Sequence, residues 1–348
     1  MYEWENGDGR PTVAVLRELA TLYRRPLAAL LLPTPRPTPV PADFRAGDKK
    51  GKLSRDTLLS LRRATRLREV AQDLNSHETT LPLGSVADAR PSPERAEELA
   101  VSERARLSIT SEQQAEWRDY YEAFRSWRAE VESLGVLVFQ MQMPVEEVRG
   151  FSISETPPAA IVLNSSDFVG ARIFTLFHEY AHLLLGRGGI CFPESDQRPS
   201  PEERDIERFC NRFAGALLLP RTELENDTQA IGLGSALPYP PDALFNSLIG
   251  KYRVSRQVIW YRLRHLGLVP DEVFRAKWSA WASQPKRKVS NGGGGLSAVQ
   301  RCLNERGTRF VSMVVEAERG GVVNFTDALD SLGVRADAYD ALASSVAL

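Results

Sequence analysis

Only three cysteines and four histidines occur in a chain of 348 residues. The cysteines, Cys191, Cys210 and Cys302, are scattered and odd in number, which excludes a disulfide framework and suits a reducing cytosol. An excess of one charge is also lacking. The formal net charge is −1, so no global basic field draws the chain to nucleic acid. No apolar run reaches the length of a membrane span, and no signal peptide is visible at the start. The expectation is a cytoplasmic protein without membrane contact, long enough for about two or three domains.

Two of the four histidines fall in one string, His178-Glu179-Tyr180-Ala181-His182, which reads H-E-x-x-H. On a helix, positions i and i+4 lie one turn apart on the same face. Imidazoles placed there can grip one Zn²⁺, and the intervening Glu can take a proton from water held beside it. The same string on a surface helix would leave its imidazoles in solvent. Here the flanks from Ile173 to Leu185 are apolar apart from Thr175 and the string's own His-Glu-His. A helix apolar all round is buried, and its polar side chains then need partners. A metal supplies one to both rings.

Such a site needs a third protein ligand and an open position. The run from Pro201 to Pro220 reads as a second helix, opened by Pro and acids and striped by Ile206, Phe209, Phe213 and Leu217. Glu207, level with the aromatics, is the expected third ligand, and Glu203, one turn earlier, is the rival. Cys191 and Cys210 form no CxxC pair, and Cys210 falls on the core side of its helix, so neither is expected on the metal.

Together the two strings carry a resemblance. Arg172 to Gly186, followed by Glu207-x-x-Cys210-Asn211-x-Phe213-Ala214-x-x-Leu217-Leu218-Leu219-Pro220, resembles the paired motifs of the ImmA/IrrE family of zinc metallopeptidases. The likeness covers roughly residues 130–270; Phe177 and Gly186 depart from it without removing a catalytic atom. Short apolar runs at Gly135–Phe139, Val148–Ser152 and Ala160–Asn164 read as strands, where the family has a small sheet. The resemblance implies an α+β, mostly helical fold, with a zincin-like core flanked by helical modules. It implies His178, His182 and Glu207 on Zn²⁺, Glu179 as catalytic base, and a XRE-type repressor or antitoxin as protein substrate, cut in stress response or mobile-element control. The alternative is a DNA-binding regulator whose metal is structural.

The flanks suggest five divisions: 1–33, 34–130, 131–222, 223–270 and 271–348. Residues 3–33 are similar to the tail of a XRE-type helix-turn-helix domain, with Pro11-Thr12 opening a helix lined by Leu16, Leu19, Ala20 and Tyr23. The DNA-presenting helices of such a domain would precede Met1, so DNA contact there requires a completed N-terminal domain. A Pro-rich stretch from Pro33 to Pro41 reads as a stiff linker. A basic helix follows, with Arg55, Arg62, Arg63, Arg66 and Arg68 expected on a solvated face. Residues 111–134 read as one amphipathic helix with its aromatics, Tyr121 among them, in the core. Asp242 to Leu268 looks like a helix-turn-helix with Arg256, Arg262 and Arg264 exposed, where DNA contact and a docked hairpin are equally expected. After a Gly-rich linker at 283–296, the last segment reads as three short helices.

Overall fold

The computed structural model describes residues 11–22, 27–31, 53–74, 91–154, 156–186, 190–191, 200–230, 242–282 and 295–346. The Pro-rich linker and residues 283–294 of the Gly-rich linker lie outside them. The chain divides into two units, residues 1–39 and 40–348. The first holds α1 (Val13–Leu22) and the short α2 (Leu27–Leu30). The Thr12 carbonyl accepts from Leu16 N at 2.9 Å, which opens α1 where the sequence places it. Ala20 is buried and Leu16 and Leu19 half-buried on one side, while Tyr23 is outside the described residues.

The second unit begins with α3 (Arg55–Asp73), α4 (Pro93–Arg106), α5 (Ser111–Glu116) and α6 (Tyr120–Ser133). The sheet and its helices follow: β1 (Leu137–Met141), β2 (Gly150–Ile153), β3 (Ala160–Asn164), α7 (Val169–Leu184), β4 (Ile190–Cys191) and α8 (Pro201–Leu218). Then come α9 (Arg221–Ala230), α10 (Asp242–Tyr252), α11 (Arg256–His265) and α12 (Asp271–Ala282). Four helices close the chain: α13 (Ala298–Arg306), α14 (Thr308–Arg319), α15 (Phe325–Leu332) and α16 (Ala336–Ser345). The fold is α+β and mostly helical. The sequence divisions at 131, 223 and 271 all fall inside this second unit.

The sheet has the order β1-β3-β2-β4; β1 and β3 are parallel and the other pairs antiparallel. Alternation along its strands sorts the core in two. Val138, Ile161 and Leu163 pack with α7 and α8 on one face. Phe139, Phe151 and Val162 pack on the other face with Leu61 of α3 and with Phe310 and Leu342 of the C-terminal helices. With both faces covered, the strands read as nearly continuous apolar runs.

Several expectations need correction. The 111–134 helix is two helices. A Thr110–Gln113 capping box starts α5, and the Asp119 carboxylate restarts the chain as α6 by accepting from Tyr121 N and Glu122 N, both at 2.8 Å. Tyr121 is 55% exposed, outside the core. Arg68 is not on a solvated face: it is buried and donates to the Thr156 hydroxyl. The last segment holds four helices because Gly307, at φ +83°, ends α13 and starts α14 without a longer loop. Arg262 is also buried, at 1% exposure.

Arg262 is tolerated there because Glu97 meets it. Arg262 Nη1 and Nη2 donate to the two Glu97 oxygens at 2.5 and 2.8 Å, and Arg212 Nε donates to Oε1 at 2.7 Å. One carboxylate thus ties α4, α8 and α11 together. Burial pushes the Glu97 carboxyl up, but the hydrogen bonds and charge of Arg262, then Arg212, outweigh it, so it titrates below its ordinary value. A carboxyl depressed by folding stabilises above its unfolded pKa of about 4.3, and that stability is lost as pH falls through the folded value. Glu97→Gln is therefore expected to cost about 3 kcal/mol at neutral pH in urea unfolding. The gap between parent and variant should close as pH falls below about 4; a gap constant with pH would refute the assignment.

Candidate metal centre

The site is built on α7 and on the helix that crosses it. α7 runs unbroken from Val169 to Leu184, and every residue from Thr175 to Leu184 is buried. Trp127 meets Phe177 edge-on at 4.9 Å, and Tyr180 stacks on Phe213 of α8 at 6.1 Å. The Tyr180 hydroxyl also donates to Glu103 Oε2 at 2.6 Å. These contacts fix the rotation of α7, and with it the direction in which His178, Glu179 and His182 point.

α8 is phased by its first turn. Ser200 and Glu203 form a capping box, in which Ser200 N donates to Glu203 Oε2 at 2.7 Å and Glu203 N donates to Ser200 Oγ at 3.2 Å. The rival ligand Glu203 thus serves the cap, at an exposed position. One turn on, Glu207 reaches the imidazoles. Its Oε2 lies 3.3 Å from His178 Nε2, its Oε1 lies 3.3 Å from His182 Nε2, and the two Nε2 atoms are 3.2 Å apart. One turn further, Asn211 Oδ1 sits 3.1 Å from His178 Nδ1. That contact leaves Nε2 of His178 as the nitrogen facing Glu207.

Two imidazole nitrogens 3.2 Å apart, each 3.3 Å from one oxygen of the same carboxylate, fit a small divalent ion. Bonds of about 2.0–2.1 Å in tetrahedral geometry set ligand atoms about 3.3 Å apart. Both His178 and His182 are buried, at 1% and 3% exposure, and Glu207 is half-buried. The carboxyl of Glu207 is held well below the usual carboxylate range: burial raises it, and the charge and hydrogen bonds of the two imidazoles outweigh that.

Cys210 stands closer than the sequence suggests. Its sulfur and one ring nitrogen from each of His178 and His182 lie within 4.8 Å of one another. It is nevertheless fully buried on the core side, as its position in the apolar stripe implies. Cys302 is buried on the far face of the sheet and bonds Leu332 O, and burial pushes its thiol up to about 11.

Glu179 is fully buried, and burial raises its carboxyl above the ordinary value against the opposing pull of His182, His178 and the Ser152 hydroxyl. Ser152 and Gly150 of β2 make up the floor beneath it, and neither was a sequence candidate. A Cβ at Gly150 would lie 2.5 Å from Thr175 Cγ2, 3.0 Å from Val162 O and 3.6 Å from Glu179 Cγ. The absent side chain lets β2 lie directly on α7. Its signal in the sequence is a glycine opening an apolar strand.

His178 and Glu207 open onto a cavity of about 980 Å³ that continues between α8, α11 and α12. A buried carboxyl thus lies beside two imidazoles and a second carboxylate, and His178 and Glu207 of this group line the cleft. Residues 131–264 match the family model of the IrrE N-terminal-like domain, Peptidase_M78. The match supports the ImmA/IrrE family and a metallopeptidase function for this segment. No curated protein matches the chain.

Two outcomes follow. Asn211→Ala should lower metal affinity about tenfold or more in competition with a chelator, with the helical circular dichroism unchanged. Gly150→Ala should push β2 off α7 and cost about 1–3 kcal/mol in chemical unfolding; a neutral result would mean that the strand is free to shift.

Proposed function

We propose that this protein is a zinc-dependent endopeptidase with a regulatory role, hydrolysing a peptide bond in a XRE-type repressor or antitoxin. The observation that carries the reading is the triangle of His178, His182 and Glu207 around one ion-sized point, with Glu179 buried beside it. His178, His182 and Glu207 would hold the metal. Glu207 is preferred to Cys210 because its two oxygens reach both Nε2 atoms. Once bound, a divalent ion such as Zn²⁺ supplies Lewis acidity toward a scissile carbonyl and makes water a better nucleophile at neutral pH.

The chain's own residues do the rest. Glu179 takes a proton from water as the water oxygen bonds to the peptide carbonyl carbon. When the C–N bond breaks, Glu179 gives that proton to the leaving amine nitrogen, which yields a new carboxylate and a new amine. Burial favours the protonated form of Glu179 that this second half requires. Asn211 holds the His178 ring. Three scattered cysteines, an odd number, agree with a reducing compartment. A DNA-binding regulator with a structural metal is the weaker reading, because a structural site closes its coordination with protein ligands, whereas His178 and Glu207 here line an open cleft.

Glu179→Gln should keep one equivalent of zinc and lose about 100- to 10,000-fold in turnover on a repressor substrate. Cutting at the parent rate would end the mechanism. Glu207→Ala should lose most of its zinc while Cys210→Ala retains it, both read by metal analysis after dialysis. The reverse pattern would move the third ligand to Cys210.

A further inference from the structure

The cleft beyond the metal centre is cationic although the chain as a whole is not. Arg149, Arg208, Arg212, Arg262 and Arg264 line it, against the carboxylates of Glu207 and Asp271. Glu207 is committed to the imidazoles. Arg149 pairs with Asp167 at 2.9 Å, Asp271 pairs with Arg264 at 2.7 Å, and the single carboxylate of Glu97 serves both Arg212 and Arg262. Two guanidiniums on one carboxylate leave a positive charge at the wall. Arg208 adds another: its pairing with Asp205, at 3.5 Å between mostly exposed side chains, is weak. The net charge of the whole chain is −1, so the excess here is local and not a property of the chain as a whole. Low-dielectric walls focus the field of such an excess.

Aromatic surface lies beside it. Phe174 of α7, Tyr261 of α11 and Trp278 of α12 line the same cavity, and Tyr261 and Trp278 meet edge-on at 4.9 Å. We infer that this groove is a specificity subsite that selects an extended polypeptide segment carrying an acidic side chain next to an aromatic one, with Arg208 and Arg264 meeting the carboxylate. The inference rests on the peptidase reading and adds the chemistry of the substrate. It gives α11 a different task from reading DNA: its cleft-facing residues select a protein.

The test measures binding and does not need cleavage. The full chain carrying Glu179→Gln is titrated into two fluorescein-labelled peptides of equal length, one with Glu-Phe pairs in a Gly-Ala frame and one with Lys for each Glu. The acidic peptide should bind about tenfold more tightly at low ionic strength, and the preference should shrink as salt rises. Arg208→Ala should reduce the preference several-fold. Arg264→Gln, which keeps the bulk that packs over the Phe274 ring, should do the same at an unchanged melting temperature. Equal affinity for the two peptides, or a preference that survives both substitutions, would overturn the subsite. A labelled duplex that competes the acidic peptide off the parent groove would overturn it too, in favour of nucleic acid. Preference for the acidic peptide in a protein that cuts no repressor would uphold the subsite while the peptidase reading fails.

Discussion

A helix with two histidines and a glutamate in its buried stretch can be packed on all sides only if the surrounding protein receives those side chains. α7 is such a helix, and the architecture around it supplies the receivers. α8 crosses it with a carboxylate and an amide at Glu207 and Asn211, and β2 comes beneath it with the Ser152 hydroxyl. α8 meets this demand with a four-residue rhythm. Glu203 closes the cap, Glu207 reaches both imidazoles and Asn211 orients one of them, so a single helix face fixes its own start and then builds the site. The cap matters to the chemistry because it sets the phase of everything that follows it.

Much of this was legible because helical periodicity is a local property. The H-E-x-x-H string, the apolar flanks, the Pro-acid start of α8 and the level of Glu207 all follow from spacing within one element, and the structure keeps them in those places. What was not legible depends on distant partners or on competition between neighbours. Arg68 and Arg262 look like surface arginines until Thr156 and Glu97 arrive from remote parts of the chain. The apolar rhythm from 111 to 134 continues across Trp117 to Asp119, yet the Asp119 side chain offers the backbone a better bond than a continued helix would. Cys210 was read correctly as a core residue, but a core position on α8 also adjoins the imidazoles, and no periodicity separates those two settings.

The C-terminal helices are bound to the same framework by buried polar groups. Arg128 of α6 donates to Glu132 at 2.9 Å and to the carbonyls of Leu303, Asn304 and Val138, so it neutralises the carbonyl end of α13 while reaching the edge of β1. Gln140 of β1 donates to Asn304 O at 2.7 Å and accepts from Arg172 of α7. The α13–α14 corner and the start of α7 therefore share one side chain. Gly307 is required at that corner, since a Cβ there would collide with Glu132 and Arg128. Desolvation offsets most of the attraction within the buried Arg128–Glu132 pair, so the pair adds little net strength to this docking.

The same reasoning bears on the segment with helix-turn-helix character. A recognition helix keeps one face apolar for its own domain and leaves the opposite face, with its cations, available to a duplex. In α11 the faces are already assigned. Val258, Ile259, Trp260 and Leu263 are buried, and so is Arg262, held by Glu97. Arg264 is paired with Asp271 and covers the Phe274 ring, and Arg256 lies over Phe245. Tyr261, Arg264 and His265 turn toward the cleft that begins at His178, and burial among Arg212, Arg262 and Arg264 pushes the His265 imidazole down to about 4. That ring is neutral at physiological pH, so it adds a polar edge to the groove and no further charge. A helix whose buried Arg262 is held within its own protein, and whose remaining face walls a cleft headed by His178 and Glu207, is better suited to holding a polypeptide than to entering a groove of DNA.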